Sequence, residues 1–450
     1  METSGDNGMD FRHPELWDEP DYIRKEMAHT MSHIYSHGMT TTSGGNMSVT
    51  DSLGNIWITP SGTDKGSLKP EEVVCVAPGG TFEGPLKPSM EYPLHRAVYD
   101  ARPDIRVLIH AHPPMLTSFS IVHRIPDTSL LRGWHEICGT AGYAGYALPG
   151  SDAMADNVAS EFSRGCNVVI MENHAAVAGG KDLAEALARL EALEYCATTI
   201  HAAGLIGEVL KPENFRGDNS EFMSDTCPPE PGRGLRYVSE ERVMTPGDEL
   251  LAEDICRMAT RACNRGLMYG FSGTISARST GDNCLLVGER VLRCNIGKED
   301  IVTARSGGER CSPLAWLHAE IYKRFPAVNA VITAQPPYLM AFAVTGKDIN
   351  VRTIPESWLL LKEMPLVEVR MLSPGREEIF EKLSTGSPAL LIANDSVLVT
   401  GDSLLQAFDR LEVAEMTAMS LILGKSLGSV NSISDNNIAE MGRVFVSKGD

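Results

Sequence analysis

No apolar run in this 450-residue chain approaches the length of a membrane span, which argues against a helical membrane protein. The first twenty residues are polar and acidic and lack the basic and apolar regions of a signal peptide, so a cytoplasmic location is expected. The ten cysteines include no Cys-x-x-Cys pair, which argues against a disulfide framework or a zinc knuckle. They read as reduced thiols, mostly small buried apolar residues. Positive charge is short: 40 Lys and Arg against 59 Asp and Glu leave a net −19, and neither nucleic acid nor membrane is expected as a partner. Histidine is scarce in the second half, where only His318 follows residue 202, so imidazole chemistry belongs to the first half. The remaining balance, 43% hydrophobic and 22% charged, is that of a globular protein long enough for two or three cores.

What is present is organised around Val107-Leu108-Ile109-His110-Ala111-His112-Pro113-Pro114. The apolar triplet predicts a buried strand, and the Pro-Pro pair predicts its end. Strand side chains alternate, so His110 and His112 share a face and Ala111 takes the other. A second apolar run begins at Val168 and ends on His174. Three neutral imidazoles with an open fourth position suit a catalytic metal. Three satisfied histidines at strand ends are the alternative that spacing leaves open. Ser43-Gly44-Gly45-Asn46-Met47-Ser48 reads as a turn entering a strand, and Ile56-Trp57-Ile58 as a strand running into Thr59-Pro60-Ser61-Gly62-Thr63. Either loop offers groups to an anion or is an ordinary hairpin turn. Pro88-Ser89-Met90-Glu91-Tyr92-Pro93 predicts a helix start, with Leu94, Ala97 and Val98 inward and an end before Pro103. Glu91 is there either an acid–base group or a carboxylate set against the helix dipole. Helices are also predicted from Pro20 to His37-Gly38 and after Asp182, with Gly179-Gly180 turning the chain between strand and helix.

The first half repeats. Arg102-Pro103 to Pro113-Pro114 aligns with Phe325-Pro326 to Pro336-Pro337, and His37-Gly38 to Ser48 aligns with Arg265-Gly266 to Ser276. The expected organisation is a flexible leader over 1–16, a first domain over 17–210, a linker over 211–246, a second domain over 247–430 and a tail over 431–450. In the second copy His110 becomes Thr333, His112 becomes Gln335, His174 becomes Asp395, Glu91 becomes Leu314 and Asn46 becomes Thr274. His95 is matched by His318, and a role shared with a degenerate copy reads as structural.

The order Gly-Gly-Asn-x-Ser, Thr-Pro-Ser-Gly, Ser-x-Glu, His-x-His and Asn-His resembles the class II aldolase/adducin family over residues 17 to about 208, with a degenerate copy after it. The resemblance implies two tandem α/β/α sandwich domains, each around a largely antiparallel sheet. It implies Zn²⁺, or another divalent transition metal, on His110, His112 and His174. It makes Glu91 the acid/base and Gly45, Asn46, Ser61, Gly62 and Ser89 the phosphate contacts. Two positions depart: Met90 replaces a family serine, and a family tyrosine falls near Leu131, with Tyr143 and Tyr146 nearby. The implied function is a zinc-dependent lyase of carbohydrate metabolism, an aldolase cleaving a small ketose or ketose phosphate through a metal-stabilised enediolate. A sugar-phosphate epimerase, a sugar-acid phosphate decarboxylase and an adducin-like assembly protein are the alternatives. Family aldolases resemble rings of four domains, so a homodimer forming a pseudo-tetramer is expected.

Overall fold

Short β-rich segments separated by helices build two sheets of seven strands each. The computed structural model describes residues 16–211, 244–279, 283–304, 314–372, 376–384 and 386–446. Residues 1–15 of the expected leader, 212–243 of the linker and 447–450 of the tail lie outside the described residues.

The first sheet contains β1 (Asn46–Thr50), β2 (Ile56–Ile58), β3 (Val74–Val76), β4 (Val107–Ala111), β5 (Ala141–Ala144), β6 (Val168–Met171) and β7 (Ala175–Gly180). Their order is β3-β2-β1-β4-β7-β6-β5, and β5–β6 is the parallel pair in an otherwise antiparallel sheet. The helices are α1 (Pro20–Ser36), α2 (Tyr92–Ala101), α3 (Pro114–Ile121), α4 (Arg132–Cys138), α5 (Asp152–Ser163) and α6 (Leu183–Ile206). Leu94 and Val98 of α2 and Met154, Val158 and Phe162 of α5 pack on Leu108, Val169 and Val177. Trp57 faces the other side of the sheet, where the Arg24 guanidinium of α1 sits 4.9 Å from its ring. The result is the expected α/β/α layering.

Helix α1 follows from its pattern: proline opens it, Ile23, Met27, Met31 and Ile34 form the buried stripe, and Gly38 at φ +68° stops it. Each such side chain contributes about 1.5–3 kcal/mol of burial. Gly179-Gly180 do not turn the chain; they complete β7. A Cβ on Gly180 would lie 2.5 Å from the Ala186 nitrogen, so glycine is required there by close approach of α6. The chain turns at Lys181-Asp182, where Asp182 Oδ1 accepts from Glu185 N and Glu185 Oε2 accepts from Lys181 N, both at 2.8 Å.

The second sheet repeats this plan with β8 (Thr274–Arg278), β9 (Cys284–Val287), β10 (Ile301–Ala304), β11 (Ala330–Ala334), β12 (Leu366–Val367), β13 (Ala389–Ile392) and β14 (Ser396–Gly401), in the order β10-β9-β8-β11-β14-β13-β12. Helix α7 (Pro246–Asn264) stands before β8 as α1 stands before β1, and α8 (Ala315–Arg324) before β11 as α2 before β4. The chain separates into two compact units, one running to Ser129 and resuming from Trp134 to Ala197, the other taking Leu130–Gly133 and the chain from Thr198. That division lies within α6, whereas linker chemistry in the sequence begins at Lys211. No helix among the described residues is long and apolar enough to cross a membrane.

Candidate metal centre

Four segments meet at one end of the first sheet. Strand β4 delivers His110, with His112 one residue beyond the strand's end at Ala111. Asn46, the first residue of β1, is the register partner of His110. His174 does not sit at a strand end as expected; β6 stops at Met171 and His174 lies in the turn before β7. Asn173 makes that turn in the left-handed region at φ 53°, a conformation asparagine tolerates. Two glycines open the room opposite. A Cβ on Gly45, at φ +69°, would fall 2.6 Å from the His110 carbonyl, and one on Gly44 would fall 2.8 Å from His112 Nδ1. The Gly-Gly pair therefore serves close approach of backbone to the histidine strand.

His110 is buried, and its Nδ1 donates to the Ala176 carbonyl at 3.0 Å, which leaves the Nε2 lone pair facing inward. His112 Nε2 stands 3.1 Å from His110 Nε2. The ligand atoms of His110, His112 and His174 all lie within 4.8 Å of one another. Nitrogens bound to one tetrahedral zinc stand about 3.3 Å apart, given Zn–N bonds of about 2.0–2.1 Å. Burial pushes His112 down to about 4, with His110 and His174 adding to the effect, and burial likewise lowers His174. Both are therefore neutral donors at pH 7, and the set fits a divalent transition metal.

Glu91 faces these rings from the N-cap position of α2. Its carboxylate makes no capping hydrogen bond. Asn46 Nδ2 instead donates to Oε2 at 2.6 Å, Oε2 lies 3.3 Å from His110 Nε2, and Oε1 lies 3.7 Å from His174 Nε2. Burial raises its pKa, but His110, the Asn46 hydrogen bond, His174 and His95 together outweigh this and leave it below the usual range.

The remaining sequence-predicted residues sit on loops tied to this end. Ser61 N donates to the Lys87 carbonyl at 3.0 Å, Ser89 N to the Thr59 carbonyl at 3.2 Å, and Thr59 N to the Met47 carbonyl at 3.0 Å. Ser61 and Gly62 are exposed, with Gly62 at φ +71°. Ser89 is nearly buried, and its Oγ accepts from Glu91 N at 3.3 Å. Met90 points into solvent. The Tyr143 hydroxyl is buried without a hydrogen-bond partner among the described residues, whereas Tyr146 is exposed.

Comparison with known proteins decides the family. The class II aldolase and adducin N-terminal domain matches residues 25–201 and again 253–422. The chain belongs to the class II aldolase and adducin family. It is 29% identical over 186 residues to a 3-oxo-tetronate 4-phosphate decarboxylase of Escherichia coli, covering 40% of this chain and 87% of that protein. It is 33% identical over 198 residues to a 5-deoxy-D-ribulose 1-phosphate aldolase of Bacillus thuringiensis, covering 42% and 90%. Among solved structures, an L-fuculose 1-phosphate aldolase matches with 29% identity, a TM-score of 0.40, and coverage of 45% of this chain and 94% of that one.

In the second class II aldolase copy the corresponding positions bond to their neighbours. Gln335 accepts from Tyr269 at 3.0 Å and Ser272 at 2.8 Å and donates to the Asp395 carbonyl at 2.7 Å. Ser272 replaces Gly44 and Gln335 replaces His112, so a hydroxyl fills the room the glycine leaves in the first copy. Two residues of the first centre escaped sequence reasoning. Lys65 is buried beneath the Thr59–Gly62 loop with Nζ donating to the Pro60 carbonyl at 2.8 Å, and burial lowers it to about 8. His95, set aside as structural, touches Asn46: its Nε2 lies 2.5 Å from Asn46 Oδ1. Neither signal exists in a linear motif, because one depends on the fold of the Thr59–Gly62 loop over Lys65 and the other on the packing of α2 against β1.

Proposed function

We propose that the chain is a metal-dependent lyase that reversibly cleaves a C–C bond in a small ketose or ketose phosphate, with a non-catalytic second unit. The observation that carries this reading is the Glu91 carboxylate, held by Asn46 and facing His110 and His174. His110, His112 and His174 would hold Zn²⁺ or another divalent transition ion, which when bound supplies Lewis-acid stabilisation of charge on substrate oxygens. Cleavage leaves an electron pair on the carbon beside the carbonyl, and Glu91 would deliver the proton there and remove it in the reverse direction. The hydrogen bond from Asn46 orients that carboxylate. Burial of the His110 and Glu91 side chains keeps bulk water from competing for the proton.

Gly45, Asn46, Ser61, Gly62 and Ser89 would bind the phosphate, with the Lys65 ammonium adding positive charge beneath the loop. The names of both relatives above are of enzymes acting on phosphorylated compounds. A ketose 1-phosphate should be preferred to its free sugar. Lys65→Met should raise KM about tenfold for the phosphorylated compound and leave the free sugar unaffected. Preference for the free sugar would remove the phosphate assignment. Similarity to a decarboxylase supports a second reading, since loss of CO₂ from a 3-oxo acid leaves the same kind of carbanion for Glu91 to protonate. A screen of ketose phosphates for aldehyde release and of 3-oxo sugar acids for CO₂ release separates the two. The family resemblance also supports a homodimer of cytoplasmic protein, about twice 48.8 kDa, which mass measurement on the intact particle tests.

A further inference from the structure

We infer that His95 is a positioning residue for Glu91, acting through the Asn46 side chain; this rests on Glu91 being the acid–base group proposed above. Five side chains form one chain of hydrogen bonds, buried except at half-buried Tyr99. Tyr99 OH lies 2.7 Å from Ser48 Oγ, Ser48 Oγ 2.6 Å from His95 Nδ1, His95 Nε2 2.5 Å from Asn46 Oδ1, and Asn46 Nδ2 2.6 Å from Glu91 Oε2.

The chain has one consistent direction. A carboxylate only accepts, so the Asn46 amide must turn its NH₂ toward Glu91 and its oxygen toward His95. That oxygen needs a donor, which places the His95 proton on Nε2. His95 is fully buried and remains neutral, burial having pushed it down to about 3. Its Nδ1 is then an acceptor, satisfied by the Ser48 hydroxyl, whose oxygen can in turn accept from Tyr99. The opposite tautomer would turn the amide oxygen of Asn46 against the Glu91 carboxylate. His95 thus holds the orientation in which Asn46 can grip Glu91.

The second copy separates the shared part of this device from the added part. Ser276 Oγ lies 2.7 Å from His318 Nδ1 and 2.8 Å from Tyr322 OH, so the inner half is intact. His318 Nε2 lies 3.3 Å from Thr333 Oγ1, where His95 Nε2 in the first copy meets Asn46 and through it Glu91. The serine–histidine–tyrosine pin ties strand to helix in both copies. The Nε2 contact that continues to a carboxylate belongs to the first copy.

Two measurements on the full-length, metal-loaded protein test this. ¹⁵N NMR of histidine-labelled protein, with the signal assigned by its loss in His95→Asn, should show a neutral His95 protonated at Nε2; protonation at Nδ1 overturns the inference. Kinetics use the ketose phosphate turned over fastest in the screen. In His95→Asn the shorter amide can still accept from Ser48 but does not reach Asn46, so kcat should fall about tenfold while metal content stays within about twofold. His95→Gln, whose amide reaches the Nε2 position, should recover part of kcat. The double variant with Asn46→Ala should be no slower than Asn46→Ala alone, because both act on one path. Additive losses, or unchanged kcat in His95→Asn, overturn the inference. His318→Asn supplies the stability cost of the shared pin and should leave kcat unchanged. Near-normal turnover in Glu91→Gln would instead remove the reading on which this rests. An inactive Glu91→Gln beside an unaffected His95→Asn defeats His95 alone.

Discussion

Glu91, Asn46 and the three histidines separate what a residue's neighbours in sequence reveal from what its neighbours in space reveal. His110 and His112 were legible because a strand has a period of two and both lie at its end. The acid–base role proposed for Glu91 came through family resemblance, since its position alone also suited a helix-start carboxylate. The contact between His95 and Asn46 was not legible, because the two meet only once β1 and α2 are packed. Glu91→Gln should keep the fold and the metal but lose about a hundredfold or more in kcat, since the amide cannot exchange the proton; metal analysis beside steady-state kinetics checks both halves. Gly45→Ala combines a positive φ with a Cβ 2.6 Å from the His110 carbonyl. It should cost about 1–3 kcal/mol of stability and weaken metal binding by moving His110. Denaturation curves and a metal titration measure the two effects, and an unperturbed metal affinity would show that β4 does not yield to the new methyl group.

At the scale of elements, both units use one histidine to join strand to helix, Ser48–His95–Tyr99 across β1 and α2 and Ser276–His318–Tyr322 across β8 and α8. Burial pushes both imidazoles down to about 3. The unfolded chain takes up these protons near pH 6.5 and the folded chain does not. Stability from this source is therefore complete above about pH 6.5 and falls as pH drops toward 3, by up to about 1.4 kcal/mol per pH unit for each histidine. Two buried carboxylates act with the opposite sign. Glu194 accepts from Met115 N and Leu116 N at 3.0 and 2.9 Å, and Glu415 from Tyr338 N and Leu339 N at 2.9 and 2.8 Å. Burial nonetheless raises each to about 7, so their contribution is full below about 4.5 and lost toward 7. The two pairs partly offset each other between about pH 4.5 and 6.5. His318→Asn should flatten the acid loss of stability relative to the parent, by about half of the histidine effect; identical pH profiles of denaturation would contradict it. Strand and helix positions were largely readable from periodicity. Gly179-Gly180 was not, because a glycine demanded by a neighbouring helix looks in sequence like a glycine demanded by a turn.

For the whole molecule, the duplication was legible because the apolar framework and Pro-Pro terminators align while the chemical groups do not. The topology agrees, since both sheets share one strand order and Asn173 and Asn394 hold the same left-handed turn at φ 53° and 52°. Where the chain divides was less legible, because α6 continues as one helix past the division at Ala197. A second unit whose corresponding groups are Thr333, Gln335 and Asp395, bonded among their own neighbours, should add no metal to the count. His112→Ala should lose most of the bound metal, and Gln335→Ala should lose none. Metal dependence is measured by following aldehyde release from a ketose 1-phosphate with chelated, metal-free protein as Zn²⁺ is added back. Turnover should be absent at the start and should rise until it levels off at one ion per chain. Full turnover by the metal-free protein, or a plateau at two ions per chain, would contradict it.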